Sequence, residues 1–159
     1  MNKLQHWFLA TRPWSFTMTV ISVSVGAALA AIEGGISWPL YFLTALGVVL
    51  MHAGTNLMND YYDVRYGVDT ESAETAKYRP HIIILGVVPA RQVLYAAFGS
   101  FAAAAAIGLY LTYTSGPMVL WIGVIGVLAG VGYTAPPMKY KYIGLGELSV
   151  FLMWGPLMV

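Results

Sequence analysis

The stretch from Trp14 to Ile32 constrains the fold of this chain more than any other part of its sequence. It contains about 19 residues without a charged side chain, and about 20 mostly apolar residues are enough for a helix to cross a lipid bilayer. Three further mainly apolar stretches run from Trp38 to about Tyr62, from about Pro89 to Tyr113, and from Met118 to about Ala135. The sequence therefore predicts an all-α, multi-pass transmembrane helical bundle with four spans.

The composition favours the same class. Hydrophobic residues make up 58% of the 159 residues and charged residues only 9%, whereas about 25% of a soluble domain is charged. The expected surroundings are therefore a lipid bilayer. The chain has no cysteine, which excludes disulfides, thiolate zinc sites and a cysteine nucleophile. A net charge of +1 without a basic run gives no indication of nucleic-acid binding.

A cleavable signal peptide is the alternative explanation of the first apolar stretch, because Ala28-Leu29-Ala30 resembles a cleavage site. The apolar core is too long for a signal peptide and further apolar segments follow it. We therefore expect a membrane span.

The basic residues predict the orientation in the membrane. All of them lie before span one, between spans two and three, or after span four: Lys3, Arg12, Arg65, Lys77, Arg79, Arg91, Lys139 and Lys141. Lysine and arginine are enriched in cytoplasmic loops. The N-terminus and the loop that follows span two are therefore expected on the cytoplasmic side of the cell membrane.

A polar stripe lies within the second span. At about 100° per residue, its five members fall within roughly 100° of arc on one helix face: His52, Asn56, Asn59, Asp60 and Asp63. Acids in a membrane helix are costly and usually functional, so the stripe is the candidate site. A lone histidine in an apolar helix is more often packed and hydrogen-bonded than a ligand, and we expect this of His52.

Two connections leave the membrane on the side where the stripe ends. The first runs from Val64 to Val88, and the second from Tyr133 to Glu147. Both carry cations near the acids, which suggests a phosphate group held together with a divalent metal. Carboxylate and amide oxygens without thiolates favour Mg²⁺, and Arg and Lys would bind the phosphate oxygens. The residues thus predict a lipid diphosphate activated by Mg²⁺, although a merely solvated loop is the simpler alternative.

The same residues carry a resemblance to a known family. Asn59-Asp60-Tyr61-Tyr62-Asp63 resembles the first aspartate-rich motif of the UbiA-type intramembrane prenyltransferases. Three more segments resemble family sequences at matching places: Arg12 to Ser15, Tyr78-Arg79-Pro80 and Tyr133 to Pro137. Gly67 to Thr70 and Gly144 to Glu147 are most similar to the 1,4-dihydroxy-2-naphthoate polyprenyltransferase branch of menaquinone biosynthesis.

The resemblance implies a helical bundle around a central cavity open to the cytoplasm. It implies a Mg²⁺-dependent enzyme that ionises an allylic polyprenyl diphosphate, whose prenyl group then alkylates an aromatic acceptor. It makes Asp60 and Asp63 the catalytic residues. The implied metal ligands are Asn59, Asp60, Asp63 and Asp69, and the implied diphosphate-binding residues are Arg12, Asn56, Asn59, Lys77, Arg79 and Lys139.

This sequence departs from the family pattern at two of these positions. The family commonly has Asp four residues after Asp63, where this chain has Gly67. Asp69 is therefore the candidate third acid. The family's tyrosine–lysine pair after span four is spaced more widely here, with Tyr133 and Lys139 six residues apart.

The resemblance also implies a longer protein, because the family has about nine spans and a second aspartate-rich motif. Here no Asp follows Asp69, and the fifth apolar stretch, from Leu145 to Val159, has only about 15 residues. We therefore expect residues 1–159 to be the N-terminal part of one prenyltransferase domain that needs its missing C-terminal half. The fragment alone is expected to be inactive.

Two alternatives remain open at this level. The acceptor could instead be 4-hydroxybenzoate or a glycerol phosphate lipid, as in other branches of the same family. A non-enzymatic cation transporter would also explain the acidic stripe, but it would not explain the cationic loops beside it.

Overall fold

The protein is helical. A computed structural model describes residues 1–72 and 79–159. Within those ranges it contains helices and no β-strand. Its α-helices are α1 (Lys3–Ala10), α2 (Phe16–Glu33), α3 (Trp38–Arg65), α4 (Ala90–Ser115), α5 (Met118–Thr134) and α6 (Gly146–Leu152). Short 3-10 turns at Pro13–Ser15 and Tyr140–Ile143 precede α2 and α6. The predicted all-α class is confirmed.

Three helical stretches are long and apolar enough to cross a membrane: Lys3–Glu33, which joins α1 and α2, then Trp38–Arg65 and Ala90–Ser115. The fourth predicted span is present as α5, but it has only 17 residues. At about 1.5 Å per residue that is about 25 Å, short of the roughly 30 Å hydrocarbon core. The fifth apolar stretch forms α6 and a wider turn at Met153–Leu157.

Proline and glycine set several helix boundaries. Pro39 lies in the first turn of α3, where its missing N–H costs no hydrogen bond. Pro89 immediately precedes α4. Gly116 has a φ of 103° between α4 and α5, a backbone conformation that only glycine adopts easily. These residues account for the helix ends predicted from the sequence.

Helix α4 runs antiparallel to α3. Gly54, towards the end of α3, lies against Ala97 near the start of α4, while the earlier Gly47 lies against the later Ile107. The absence of side chains at these glycines lets the two backbones approach closely. The buried apolar core includes Leu57, Met58, Val93, Ala97 and Phe101 and lies between these helices.

Helix α5 runs in the same direction as α3, since Gly126 lies against Met51 and Gly130 against Thr55. The ends of α3 and α5 therefore lie at the same end of the bundle as the starts of α2 and α4. We call this the site end. The turns after Glu33 and Ser115 lie at the opposite end, in agreement with the predicted up-and-down order of spans.

Candidate active site

The polar stripe of α3 is buried, with no member more than 8% exposed. Its side chains nevertheless contact different neighbours. Asn59 and Asp63 meet the connection after α5, Asp60 meets two arginines, and Asn56 meets the backbone before α2. The stripe is therefore several adjoining clusters and not a single group of ligands.

Asn59 and Asp63 converge on a single cation. The ammonium of Lys141 donates to Asn59 Oδ1 at 2.8 Å and to Asp63 Oδ2 at 2.6 Å. The hydroxyl of Tyr142 donates to the second oxygen, Asp63 Oδ1, at 2.8 Å. Burial and the hydrogen bond to Asp63 raise the pKa of Tyr142, so this phenol stays protonated and remains a donor. The two oxygens around the Lys141 ammonium define the cation site.

Asp60 is fully buried and binds two guanidinium groups. Arg79 donates to both of its oxygens, at 2.9 Å to Oδ2 and at 2.5 Å to Oδ1, and Arg12 donates to Oδ1 at 2.5 Å. The carboxylate therefore joins the segment before α2, helix α3 and the loop before α4. A buried charge is tolerated when it is paired in this way. Of the predicted diphosphate ligands, Arg12 and Arg79 are thus brought together.

Asp69 follows the end of α3 and lies close to its last turns, because its backbone N–H donates to the Asp63 carbonyl at 3.1 Å. Its carboxylate lies 3.4 Å from His81 Nε2. One ligand atom each of Asp60, Asp69 and His81 could hold a metal, since these atoms lie within 4.8 Å of one another. Both Asp60 oxygens, however, are already bonded to arginine. Burial lowers the pKa of His81, while the Asp60 and Asp69 carboxylates oppose that effect.

The predicted metal set is therefore divided by the structure. Asn59 and Asp63 share the cation site, whereas Asp60 and Asp69 lie in the neighbouring cluster with the arginines and His81. The assignment of all four as ligands of one ion stays a prediction.

Of the two predicted lysines, the structure describes Lys139, which is not at the cation site. Lys139 lies over the ring of Tyr66, with Nζ 4.2 Å from the ring centroid, and Lys141 makes the contacts to the acids. Lys77 lies outside the residues that the structure describes. Asn56, also predicted to bind diphosphate, donates from Nδ2 to the Thr11 carbonyl at 2.9 Å.

Sequence reasoning missed Lys141, Tyr142 and His81. Lys141 and Tyr142 lie within three residues of Lys139 in the same connection. The sequence therefore identified the correct segment, but not the residues in it that contact the acids. His81 lies two residues after Arg79 in the connection from Val64 to Val88. Nothing in the sequence indicated that His81 lies near Asp60 and Asp69.

A cavity of about 930 Å³ extends from this site into the bundle. Its walls are mostly apolar side chains of α3, α4 and α5, together with Trp154 and Met158 near the end of the chain. Arg12, Asn59 and Lys141 line its polar part. Such a cavity suits a ligand with a charged head and a long apolar body.

Comparison with known proteins places the chain in a family. The model of the UbiA prenyltransferase family matches residues 19–159. The chain belongs to this family. The resemblance found in the aspartate-rich motif is thereby confirmed over most of the chain.

The relatives that match the chain include UbiA prenyltransferase domain-containing proteins and 1,4-dihydroxy-2-naphthoate octaprenyltransferases. UbiA prenyltransferase domain-containing protein 1 of Dictyostelium discoideum is 32% identical over 165 residues, covering 100% of this chain and 49% of the relative. The 1,4-dihydroxy-2-naphthoate octaprenyltransferase of Bacillus subtilis is 30% identical over 149 residues, covering 94% of this chain and 47% of the relative. The 1,4-dihydroxy-2-naphthoate octaprenyltransferase of Mycobacterium tuberculosis is also 30% identical, over 160 residues that cover 100% of this chain and 53% of the relative. No solved structure matches the chain significantly.

The chain spans about half the length of the curated relatives it matches. The chain belongs to a prenyltransferase family, and three of its helical stretches are long and apolar enough to cross a membrane.

Proposed function

We propose that the complete protein transfers a polyprenyl group from an allylic polyprenyl diphosphate to an aromatic acceptor. The main support is the cation site, where buried oxygens of Asn59 and Asp63 converge beside a largely apolar cavity. The cavity can take the prenyl chain, and the polar part can take the diphosphate. Membership of a prenyltransferase family supports this reaction over the cation-transporter alternative.

The donor atoms of the cation site fit Mg²⁺. The Asn59 amide oxygen and the Asp63 carboxylate are hard oxygen ligands of the kind that Mg²⁺ prefers. The Lys141 ammonium lies between these two oxygens, so a metal bound there would take its place. Bound there, Mg²⁺ would neutralise negative charge that develops on the leaving diphosphate.

The basic residues would hold the diphosphate. Arg12 lines the cavity and has N–H groups beyond the one bonded to Asp60. Lys141 lines the same cavity. In the reaction, the bond from the allylic carbon to the diphosphate oxygen breaks, and its electron pair leaves with the diphosphate. A ring carbon of the acceptor then bonds to the allylic carbon and loses a proton.

We propose 1,4-dihydroxy-2-naphthoate as the acceptor, which would place the protein in menaquinone biosynthesis. The names of two relatives at 30% identity support this choice. The other acceptors considered, 4-hydroxybenzoate and a glycerol phosphate lipid, remain outcomes of the test.

The test is an assay on membranes that contain the complete protein. Geranylgeranyl diphosphate is supplied with each of the three acceptors in turn, with Mg²⁺ or with EDTA, and the prenylated product is measured by mass spectrometry. We expect product with the naphthoate and Mg²⁺ and none with EDTA. Product with another acceptor alone would overturn the choice of acceptor, and a lack of product with all three would overturn prenyl transfer.

Substituting Lys141 should change metal and diphosphate binding in opposite directions. Lys141→Met removes the ammonium that competes with a metal for Asn59 and Asp63, so the Mg²⁺ affinity of the substrate-free protein should rise by about tenfold. The affinity for inorganic diphosphate should fall by about tenfold, because a charged donor is lost. Titration calorimetry measures both. Lys139→Met is the comparison, since Lys139 contacts Tyr66; an equal loss of diphosphate affinity there would favour the lysine predicted from the sequence.

We also propose that the site end faces the cytoplasm, because the basic residues are concentrated there. Because the protein lacks cysteine, single cysteines can report the orientation. Thr70→Cys and Met138→Cys should react with an impermeant maleimide only in inverted vesicles, and Gly34→Cys and Ser115→Cys only in right-side-out vesicles. The opposite labelling of either pair would contradict the orientation.

A further inference from the structure

A chain of hydrogen bonds crosses the bundle next to the diphosphate site and passes through His52. Trp154 Nε1 donates to Thr19 Oγ1 at 3.0 Å, and Thr19 Oγ1 lies 2.7 Å from His52 Nδ1. On the other side of the ring, His52 Nε2 lies 3.2 Å from Ser15 Oγ. Ser15 Oγ in turn donates to the Arg12 carbonyl at 2.7 Å.

The donor at each step on the Thr19 side can be assigned. An indole N–H can only donate, so Thr19 Oγ1 accepts from Trp154. Within residues 1–72 and 79–159, the Thr19 hydroxyl has His52 Nδ1 as its other hydrogen-bond partner. Thr19 therefore donates its proton to His52, and Nδ1 is an acceptor without hydrogen.

The Ser15 side decides whether Nε2 carries a hydrogen. The single hydroxyl proton of Ser15 is used on the Arg12 carbonyl, because a carbonyl can only accept. Ser15 Oγ must then accept from His52 Nε2. Together, the two sides assign His52 as a neutral ring with its hydrogen on Nε2.

The end of this chain is a strained corner of the backbone. Arg12 has φ 56° and ψ 59°, a left-handed conformation that residues with a Cβ rarely adopt. Asn56 Nδ2 holds the preceding carbonyl, of Thr11, at 2.9 Å and also reaches Ser15 Oγ at 3.4 Å. The carbonyls on both sides of the corner are therefore held, directly or through Ser15, by His52 and Asn56.

We propose that His52 is a positioning residue for the diphosphate site. In its neutral form with the hydrogen on Nε2, it fixes Ser15 and so keeps the left-handed corner that directs the Arg12 guanidinium to Asp60 and the cavity. The inference rests on the proposed function in that Arg12 is taken to bind the diphosphate. It assigns His52 no contact with substrate.

A packing role would make different demands. The His52 ring makes edge contacts with Phe16 and Trp154, at centroid distances of 5.4 and 5.0 Å. Phenylalanine could supply such contacts. The positioning role instead needs one acceptor and one donor on the same side chain, which glutamine offers and phenylalanine does not.

The protonation state can be observed without any assay of activity. The chain has three histidines, and ¹⁵N NMR of the histidine-labelled protein assigns the His52 ring as the signal lost in His52→Gln. We expect a neutral ring with hydrogen on Nε2. A charged ring, or one with hydrogen on Nδ1, would overturn the proposal whether or not the protein transfers prenyl groups.

The second measurement is the binding of inorganic diphosphate with Mg²⁺, together with the kcat and KM for geranylgeranyl diphosphate. His52→Phe should weaken binding and raise KM by about tenfold, as expected for the loss of one positioned hydrogen-bond pair, with a much smaller change in kcat. His52→Gln should restore most of the loss. Equal behaviour of the two variants would overturn the proposal.

Thr19→Val keeps the shape of the side chain and removes the hydroxyl, so it tests the chain if His52→Phe fails to fold. It should shift the Nδ1 signal in the NMR spectrum, because Nδ1 loses its hydrogen-bond donor, and it should raise KM as His52→Phe does. Thr17→Val, on the exposed side of the same helix, is the control and should do neither. An unchanged ring signal in Thr19→Val would refute the positioning chain, whereas absent binding in the unsubstituted protein would refute the proposed function.

Discussion

Asp63→Asn is expected to lower prenyl transfer by the complete protein by about 100-fold or more. The substitution keeps the size of the side chain but removes the charge that would hold Mg²⁺, and metal stabilisation of the leaving group contributes several kcal/mol. It also weakens the bonds from Lys141 and Tyr142, which both end on this carboxylate. Turnover in membranes and Mg²⁺ binding to the purified protein are the two measurements, and both should fall.

Glu33→Gln is the matched control, because Glu33 is an exposed acid at the end of α2 away from the site. It should leave turnover within about twofold of the unsubstituted protein. The helical circular dichroism and the elution volume in detergent should be the same for both variants. Similar turnover in the two variants would mean that Asp63 is structural only.

Asp60→Asn is expected to have its main effect on stability. The change leaves the guanidinium groups of Arg12 and Arg79 without their shared carboxylate, and breaking a buried ion pair costs about 3–5 kcal/mol. Thermal unfolding in detergent should show a clearly lower Tm. The Mg²⁺ affinity should change little, since both Asp60 oxygens bind arginine and Asn59 and Asp63 form the cation site.

Glu147→Gln serves as the control for stability, since Glu147 is an exposed acid. A double-mutant cycle with Arg79→Met adds a second test, because the two changes should be strongly non-additive. If Asp60→Asn reduced Mg²⁺ affinity as much as Asp63→Asn, Asp60 would be a metal ligand, as the family motif suggests.

The fold could be predicted because hydrophobic length is a property of the sequence alone. A charge-free stretch such as Trp14 to Ile32 needs no knowledge of its partners to be identified as a span. The burial of the polar stripe was predictable for a similar reason, since helical periodicity places its members on one face. The bounds of α5, Met118–Thr134, agree with the predicted stretch from Met118 to about Ala135 for the same reason.

The partners of each polar residue could not be predicted. Asp60 and Asp63 are three residues apart, so they point about 60° apart around the helix, and neighbouring segments decide which cation each one meets. The choice of Lys141 over Lys139 has a similar cause. Lys139 has φ 46° and precedes the 3-10 turn Tyr140–Ile143, and this local geometry turns the later lysine towards Asp63.

The separation along the chain between each acid and its cation has a consequence for biosynthesis. Arg12 lies 48 residues before Asp60, so one guanidinium has already been made when Asp60 leaves the ribosome. Lys141 lies 78 residues after Asp63, which at about 5–20 residues per second corresponds to about 4–16 s of synthesis. During that time water at the membrane surface must solvate the Asp63 carboxylate. The cation site is therefore completed late, after α4 and α5 have entered the membrane.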